Sequence, residues 1–240
     1  MNNSVKFHPM KVVIFGATTV LIACWTLIAS AETQSEVLPK EIASAIDKVL
    51  ADPWNDFTQD SYYALDARFA PFAITDHLIK IVKDSERDRQ SRSVALGWLS
   101  RCQRKGACEF VESFYDDLVS ADTKTWSKDE YSIFKATVIS LGYCNTTTAT
   151  DRLLELIKPE FWQTRNYQAE GQTPEEIISS ARQLAVGAIG LSNTKKAMSA
   201  RTTGEGIPVE LRPLMESYNK DGKKWEEWKS AHPRISHVDD

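Results

Sequence analysis

Val94-Ala95-Leu96-Gly97-Trp98, Ile139-Ser140-Leu141-Gly142-Tyr143 and Gly187-Ala188-Ile189-Gly190-Leu191 are three versions of one phrase, an apolar run interrupted by small residues. Gly97, Gly142 and Gly190 lie 45 and then 48 residues apart. Each phrase closes a stretch of helical periodicity and is followed by a turn and a second helical stretch, at 107–120, 148–158 and 194–201. A helix around Asp76–Lys83 reads as the second half of a degenerate earlier unit. Two helices per period, with a period in the forties, describes stacked helix pairs. The glycines fit that reading. A residue without a side chain lets a helix backbone approach its neighbour, which must outweigh about 1 kcal/mol of lost helix propensity.

The stretches between the phrases agree. Alternating β-branched runs bounded by turn dipeptides are missing, so no strands are expected. Capping-box spacings recur at Ser127 to Glu130, Thr148 to Asp151 and Thr173 to Glu176, with Pro174 at a first-turn position that tolerates it. Leu38-Pro39 opens a helix with the stripe Ile42, Ala45, Ile46, Val49 and Leu50. Gly106, Asn145, Asn193 and Pro159 supply turns and stops. The expectation is an all-α chain of about nine helices, with irregular stretches near 163–172 and 200–209.

Over residues 60–202 this pattern resembles the HEAT-like, armadillo-related repeat family in its exported bacterial form. The resemblance implies a short right-handed α-solenoid of about three to four helix pairs; an irregular helical bundle is the alternative. It divides the chain into an address at 1–31, capping helices at 32–72, repeats at 73–202, and capping helices with a tail at 203–240. Trp225 and Trp228 at one end, and Trp54, Phe57, Tyr62, Tyr63, Phe69 and Phe72 at the other, are read as covers for the terminal apolar edges.

Lys6 and Lys11 precede twenty uncharged residues, Val12 to Ala31, that end in Ala29-Ser30-Ala31. This is the pattern of a secretory signal cleaved after Ala31. An uncleaved anchor, or a lipidated Cys24 in Leu21-Ile22-Ala23-Cys24, is the other way to read it. Each outcome exports the domain to a periplasmic or secreted location, and the membrane enters only through an anchor or a lipid on Cys24. The whole chain carries 29 basic and 33 acidic side chains; without Lys6 and Lys11 the remainder has 27 and 33, a net −6. Such a balance argues against nucleic-acid binding.

Cys102, Cys108 and Cys144 follow the address, and an oxidising compartment permits one pair. Cys102 and Cys108 are expected to form it across a helix–turn–helix. Gly106 reverses the chain between them, and two antiparallel helix ends can meet the roughly 4.4–6.8 Å Cα separation that a disulfide needs. Cys102 with Cys144, or three free thiols, are the alternatives. No cofactor is expected. His77, His232 and His237 are scattered and no C-x-x-C occurs, so no zinc site is expected.

Hydrolase, zincin, Walker, dinucleotide and EF-hand motifs are absent from the sequence. Adjacent acids such as Asp116-Asp117 and Glu226-Glu227 diverge by about 100° on a helix and cannot share a reacting group. Asn145-Thr146-Thr147 reads as a helix-end turn. On a helical wheel, Val94, Ala95, Trp98, Leu99 and Cys102 share one face, opposite Arg89, Ser93, Ser100, Arg101 and Arg104. The next helix carries Glu109, Glu112, Asp116 and Asp117. These charges are solvated faces complementing a neighbour, or else Arg89, Arg101 and Arg104 form a docking surface for an acidic partner. The expectation is a non-catalytic scaffold that binds another protein of the envelope through a helical-repeat surface. The alternative is an envelope hydrolase with a carboxylate pair in a helical cleft.

Overall fold

Pro39 fixes the entry to the first helix, and the apolar stripe behind it determines which face turns inward. The computed structural model describes residues 38–52 and 61–218. Helix α1 (Lys40–Ala51) buries Ile46, Val49 and Leu50, as the stripe predicts. Helices α2 (Ser61–Arg68) and α3 (Thr75–Lys83) follow, then α4 (Arg89–Cys102), α5 (Ala107–Val119), strand β1 (Thr123–Trp126) and α6 (Lys128–Cys144). The chain continues through α7 (Thr147–Leu156), short α8 (Pro159–Gln163), strand β2 (Asn166–Ala169), α9 (Pro174–Leu191) and α10 (Lys195–Thr203). A single 3-10 turn, Val209–Leu211, leads into helical residues 212–218. The fold is all-α in class, with ten α-helices before residue 212 among the described residues.

The long helices α4, α6 and α9 lie side by side, α6 in the middle. Each is followed by a shorter helix, α5, α7 or α10, that packs back on it, while α1, α2 and α3 pack on α4. Being flanked on both sides changes the burial of α4. Leu96 and Ser100 are buried along with Ala95, Trp98, Leu99 and Cys102, so the helix has no broad solvated face opposite its core stripe.

The repeating unit is longer than the glycine phrase. Strand, capping box, long helix, Asn-Thr turn and short helix occur in that order twice, from β1 to α7 and from β2 to α10. Ser127 accepts from the Glu130 N–H and Thr173 from the Glu176 N–H, each acid reaching back to the cap N–H. Asn145 ends α6 in the left-handed region at φ 56°, and Thr146, not Thr148, caps α7 by accepting from the Ala149 N–H. Thr194 caps α10 in the same way through Ala197. The Asn193 N–H donates to Asn145 Oδ1 at 2.8 Å, and Thr150 and Thr194 hydroxyls bond at 2.8 Å, joining the two turns. One turn earlier, Gln103 Nε2 donates to the Tyr143 carbonyl at 2.5 Å. Pro159, expected as a stop, opens α8 instead at a first-turn position.

Strands β1 and β2 were not expected. They pair in parallel, Thr123 with Asn166 through Trp126 with Ala169, so the stretch 163–172 contains an extended segment at its centre. Four-residue strands carry too short an alternation to be seen against a helical background. Their inward side chains build an aromatic cluster. Trp126 stacks on Phe134 at 4.8 Å and meets Tyr167 at 4.9 Å, and the Tyr167 hydroxyl donates to the Val119 carbonyl.

The glycines do different work from one another. A Cβ on Gly142 would lie 2.9 Å from both Cα and the carbonyl carbon of Ala188 in α9, and nearer still to the carbonyl oxygen. On Gly97 it would meet the Tyr62 hydroxyl at 2.7 Å, a side chain rather than a backbone. On Gly190 it would meet only Tyr218 Cβ at 3.6 Å. Close backbone approach is thus found at Gly142 and not at the other two positions. The readings that involve residues 1–31, Cys24, Trp54, Phe57, Trp225, Trp228, His232 and His237 lie outside the described residues.

Candidate functional site

The three arginines expected to share a docking face are in three different settings. Arg89 opens α4, nearly half exposed, with Nη1 3.7 Å from Asp129 of α6. Arg104, just past the end of α4, is drawn inward. Its Nε donates to Asp66 at 2.6 Å, and its other nitrogens donate to the carbonyls of Phe72 and Asp66. Asp66 is 2% exposed and also accepts from Trp98 Nε1. Arg104 is therefore a structural cation tying α2 to the end of α4. The expectation of an exposed Arg104 fails because the wheel counts only one helix, whereas the loop after Gln103 carries the side chain over the core.

Arg101 is half-buried in a clamp. Its guanidinium lies 4.4 Å from the ring centroid of Tyr62 in α2 and 4.2 Å from that of Tyr143 in α6. Nη2 donates to the Tyr143 hydroxyl at 3.1 Å. Burial works against the cation, but the two tyrosines outweigh it and hold its pKa above the ordinary value. Burial also pushes the Tyr62 hydroxyl up, with Arg101 opposing. No ion pair among the described residues includes Arg101. Ile139, one helical turn before Tyr143 on the same face of α6, is 37% exposed.

Two of the four acids of α5, Glu112 and Asp116, meet a neighbour, while Glu109 and Asp117 are exposed. Arg152 of α7 donates from Nε and Nη2 to Asp116 at 2.7 and 2.5 Å and lies 3.5 Å from Glu112. Glu112 also accepts from the Thr146 hydroxyl. The most buried carboxylates of the helix layers, Asp66 and Glu112, each face an arginine. Between α7 and α10 an open groove of about 620 Å³ is lined by Asp151, Glu155, Lys158, Lys196 and Glu205 among others. Lys196 pairs with Asp151 at 2.6 Å and Lys158 with Glu155 at 2.8 Å, and Glu205 accepts from Ser199. Each groove acid named thus has a partner.

No disulfide joins Cys102 to Cys108, and Cys102, Cys108 and Cys144 are all buried. Gln103 in the left-handed region at φ 51° and Gly106 at φ 76° turn the two helix ends so that the thiols serve different neighbours. Cys102 Sγ faces the Tyr62 carbonyl at 3.6 Å, whereas Cys108 Sγ faces the Cys144 carbonyl at 3.7 Å. The hydrogen bond with Cys108, then burial, push the Cys144 thiol up. Among the described residues no cluster of three His, Cys, Asp or Glu side chains is placed to hold a metal ion, and no helix is long and apolar enough to cross a membrane.

Sequence reasoning found Arg101 but missed its clamp, because Tyr62 and Tyr143 lie 39 and 42 residues away. The signal that points to Tyr143 is in the second phrase itself, where Tyr143 follows the glycine. A scan against protein-family models finds no match for this chain, and searches of curated proteins and of solved structures find none either.

Proposed function

We propose that the chain is a non-catalytic scaffold of the cell envelope that binds another protein through the surface of its stacked helices. The stack is read as a short solenoid of the HEAT-like kind, exported by its N-terminal segment. The observation that carries the reading is the row α4, α6 and α9, each long helix backed by a short one and each turn bonded to the next by Gln103, Asn145 and Thr194. Such a row holds a side-chain surface rigid over several helices, which suits extended contact with a partner. The buried carboxylates Asp66 and Glu112 each face an arginine, which supports a structural role for them.

Photo-crosslinking tests the proposal. The full chain, produced with its own N-terminus and carrying p-benzoylphenylalanine in place of Gln183 or Ile139, is irradiated in intact cells. The expected result is a discrete cross-linked product with one protein in the envelope fraction. Absence of any such product overturns it, and hydrolysis of cell-wall glycan by the purified chain would favour the hydrolase alternative.

A further inference from the structure

We infer that Arg101, clamped between Tyr62 and Tyr143 beside Ile139, receives a carboxylate side chain from an apolar segment of the partner protein. This rests on the scaffold reading and names the place and chemistry of the contact. The rings occupy the two faces of the guanidinium, at 4.4 and 4.2 Å, which leaves recognition to its edge. There Nη2 donates to the Tyr143 hydroxyl and the Tyr62 hydroxyl is a second hydrogen-bond partner, so an incoming acid would meet the N–H donors that these two leave. A planar fork fixed in this way is suited to accept a carboxylate with two parallel N–H donors.

Gly97 makes the clamp possible. A Cβ at that position would stand 2.7 Å from the Tyr62 hydroxyl and 3.3 Å from Arg101 Nη1, so any side chain there pushes tyrosine and arginine apart. The first phrase therefore keeps its glycine for Tyr62 and Arg101, not for a neighbouring backbone. Gly97 and Arg101 share a face of α4 by their i, i+4 spacing, as Ile139 and Tyr143 do on α6. Because Arg101 touches Tyr143, the two stripes adjoin. Ile139, 37% exposed, supplies an apolar contact next to the cation.

Charge decides the occupant. Among the described residues no carboxylate lies in ion-pair reach of Arg101, so the clamp holds a positive charge to which an incoming acid is complementary. The chain as a whole carries a net charge of −4, which disfavours a polyanion and favours a single acid set in an otherwise apolar segment.

Panning a random peptide library displayed on phage against the immobilised full chain tests this. The expected enriched peptides place Asp or Glu close to Leu, Ile or Phe, and their Glu→Gln or Asp→Asn forms bind about tenfold more weakly or worse. Arg101→Gln should weaken binding to the same extent. Because that variant removes ring packing and is at risk of misfolding, Ile139→Glu serves as the second variant. It changes an exposed side chain, should leave the melting temperature unaltered, and should repel the same peptides. No enrichment, enriched peptides without an acid, equal binding to both variants, or self-association of the chain that Ile139→Glu abolishes each overturns the inference. Crosslinking separates this from the scaffold reading. A partner captured equally from Ile139→Glu and unaltered chains leaves the scaffold standing without the Arg101 contact, whereas no partner from either removes both.

Discussion

Gly142 and Ala188 bring the backbones of α6 and α9 so close that a single methyl group does not fit between them. With the Ala188 Cα and carbonyl carbon 2.9 Å from a Cβ at position 142, the obstacle is backbone, which cannot rotate away. Gly142→Ala is expected to destabilise by about 1–3 kcal/mol, overpacking outweighing the roughly 1 kcal/mol of helix propensity that alanine adds. Gly190→Ala meets only an ordinary 3.6 Å contact with Tyr218 and is expected to be neutral or stabilising by up to about 1 kcal/mol. Urea denaturation of the two variants checks the contrast, and equal losses would count against it.

Arg104→Ala is expected to cost about 3–5 kcal/mol, because it removes one partner of a buried ion pair. Asp66 is 2% exposed and holds both Arg104 and the Trp98 indole. Arg89→Ala, by contrast, removes only an exposed contact with Asp129 and should cost under about 1 kcal/mol. Thermal melts followed by circular dichroism distinguish the two. Similar melting temperatures for both variants would show that Arg104 is not embedded.

The thiols offer a chemical test. Iodoacetamide at pH 8 should leave Cys144 of the folded chain unmodified, since burial and the Cys108 hydrogen bond suppress its thiolate. Unfolding without reductant should expose Cys108 and Cys144 together to alkylation. A disulfide-linked peptide that contains Cys108 or Cys144 in non-reducing mass spectrometry contradicts this.

Asp47 ties α1 to α3 and to the loop after it, bonding His77 and Arg87 at 2.9 Å each. Burial raises its pKa, but the hydrogen bonds from Arg87 and His77 prevail and hold it below the ordinary 3.8. A carboxyl depressed by folding stabilises above its unfolded pKa, and that contribution disappears as pH falls from 3.8 through the lowered value. Asp47→Asn should therefore cost about 1 kcal/mol at neutral pH and flatten the acid limb of stability below pH 3.8. Melting curves of both chains across that range decide it, an unchanged limb being the contrary result.

Helix starts were legible because they are local: Ser127 with Glu130 and Thr173 with Glu176 sit three residues apart, and both form capping boxes. The burial stripe of α1 was legible for the same reason. What failed to be read involved partners far along the chain. Arg104 finds Asp66 38 residues away, Arg101 finds Tyr143 42 away, and Cys108 meets Cys144 36 away. A wheel drawn for α4 alone assigns Ser100 and Arg101 to solvent, but α6 arrives on that flank and α2 on the other. The strands escaped because pairing, not alternation, defines them at four residues. The Arg101 site was half visible: its cation stood out as a basic side chain, while the rings that hold it looked like core or cap.

The parallel pairing of β1 with β2 has a consequence for how the molecule assembles and yields. No hairpin can bring Thr123 to Asn166, so the pair closes only after α6, α7 and α8 have folded back between them, making it a late step with a long loop to close. Once made, it anchors the entrances of α6 and α9 to each other through backbone hydrogen bonds, including Asn166 N–H to the Asp122 carbonyl at 2.7 Å. Sliding of one helix along the other then requires those bonds to break. Among the described residues the seam between α4 and α6 has no strand across it and is held by side chains such as Gln103 and Arg101. That seam, held by side chains rather than strand pairing, is the one that carries the arginine clamp.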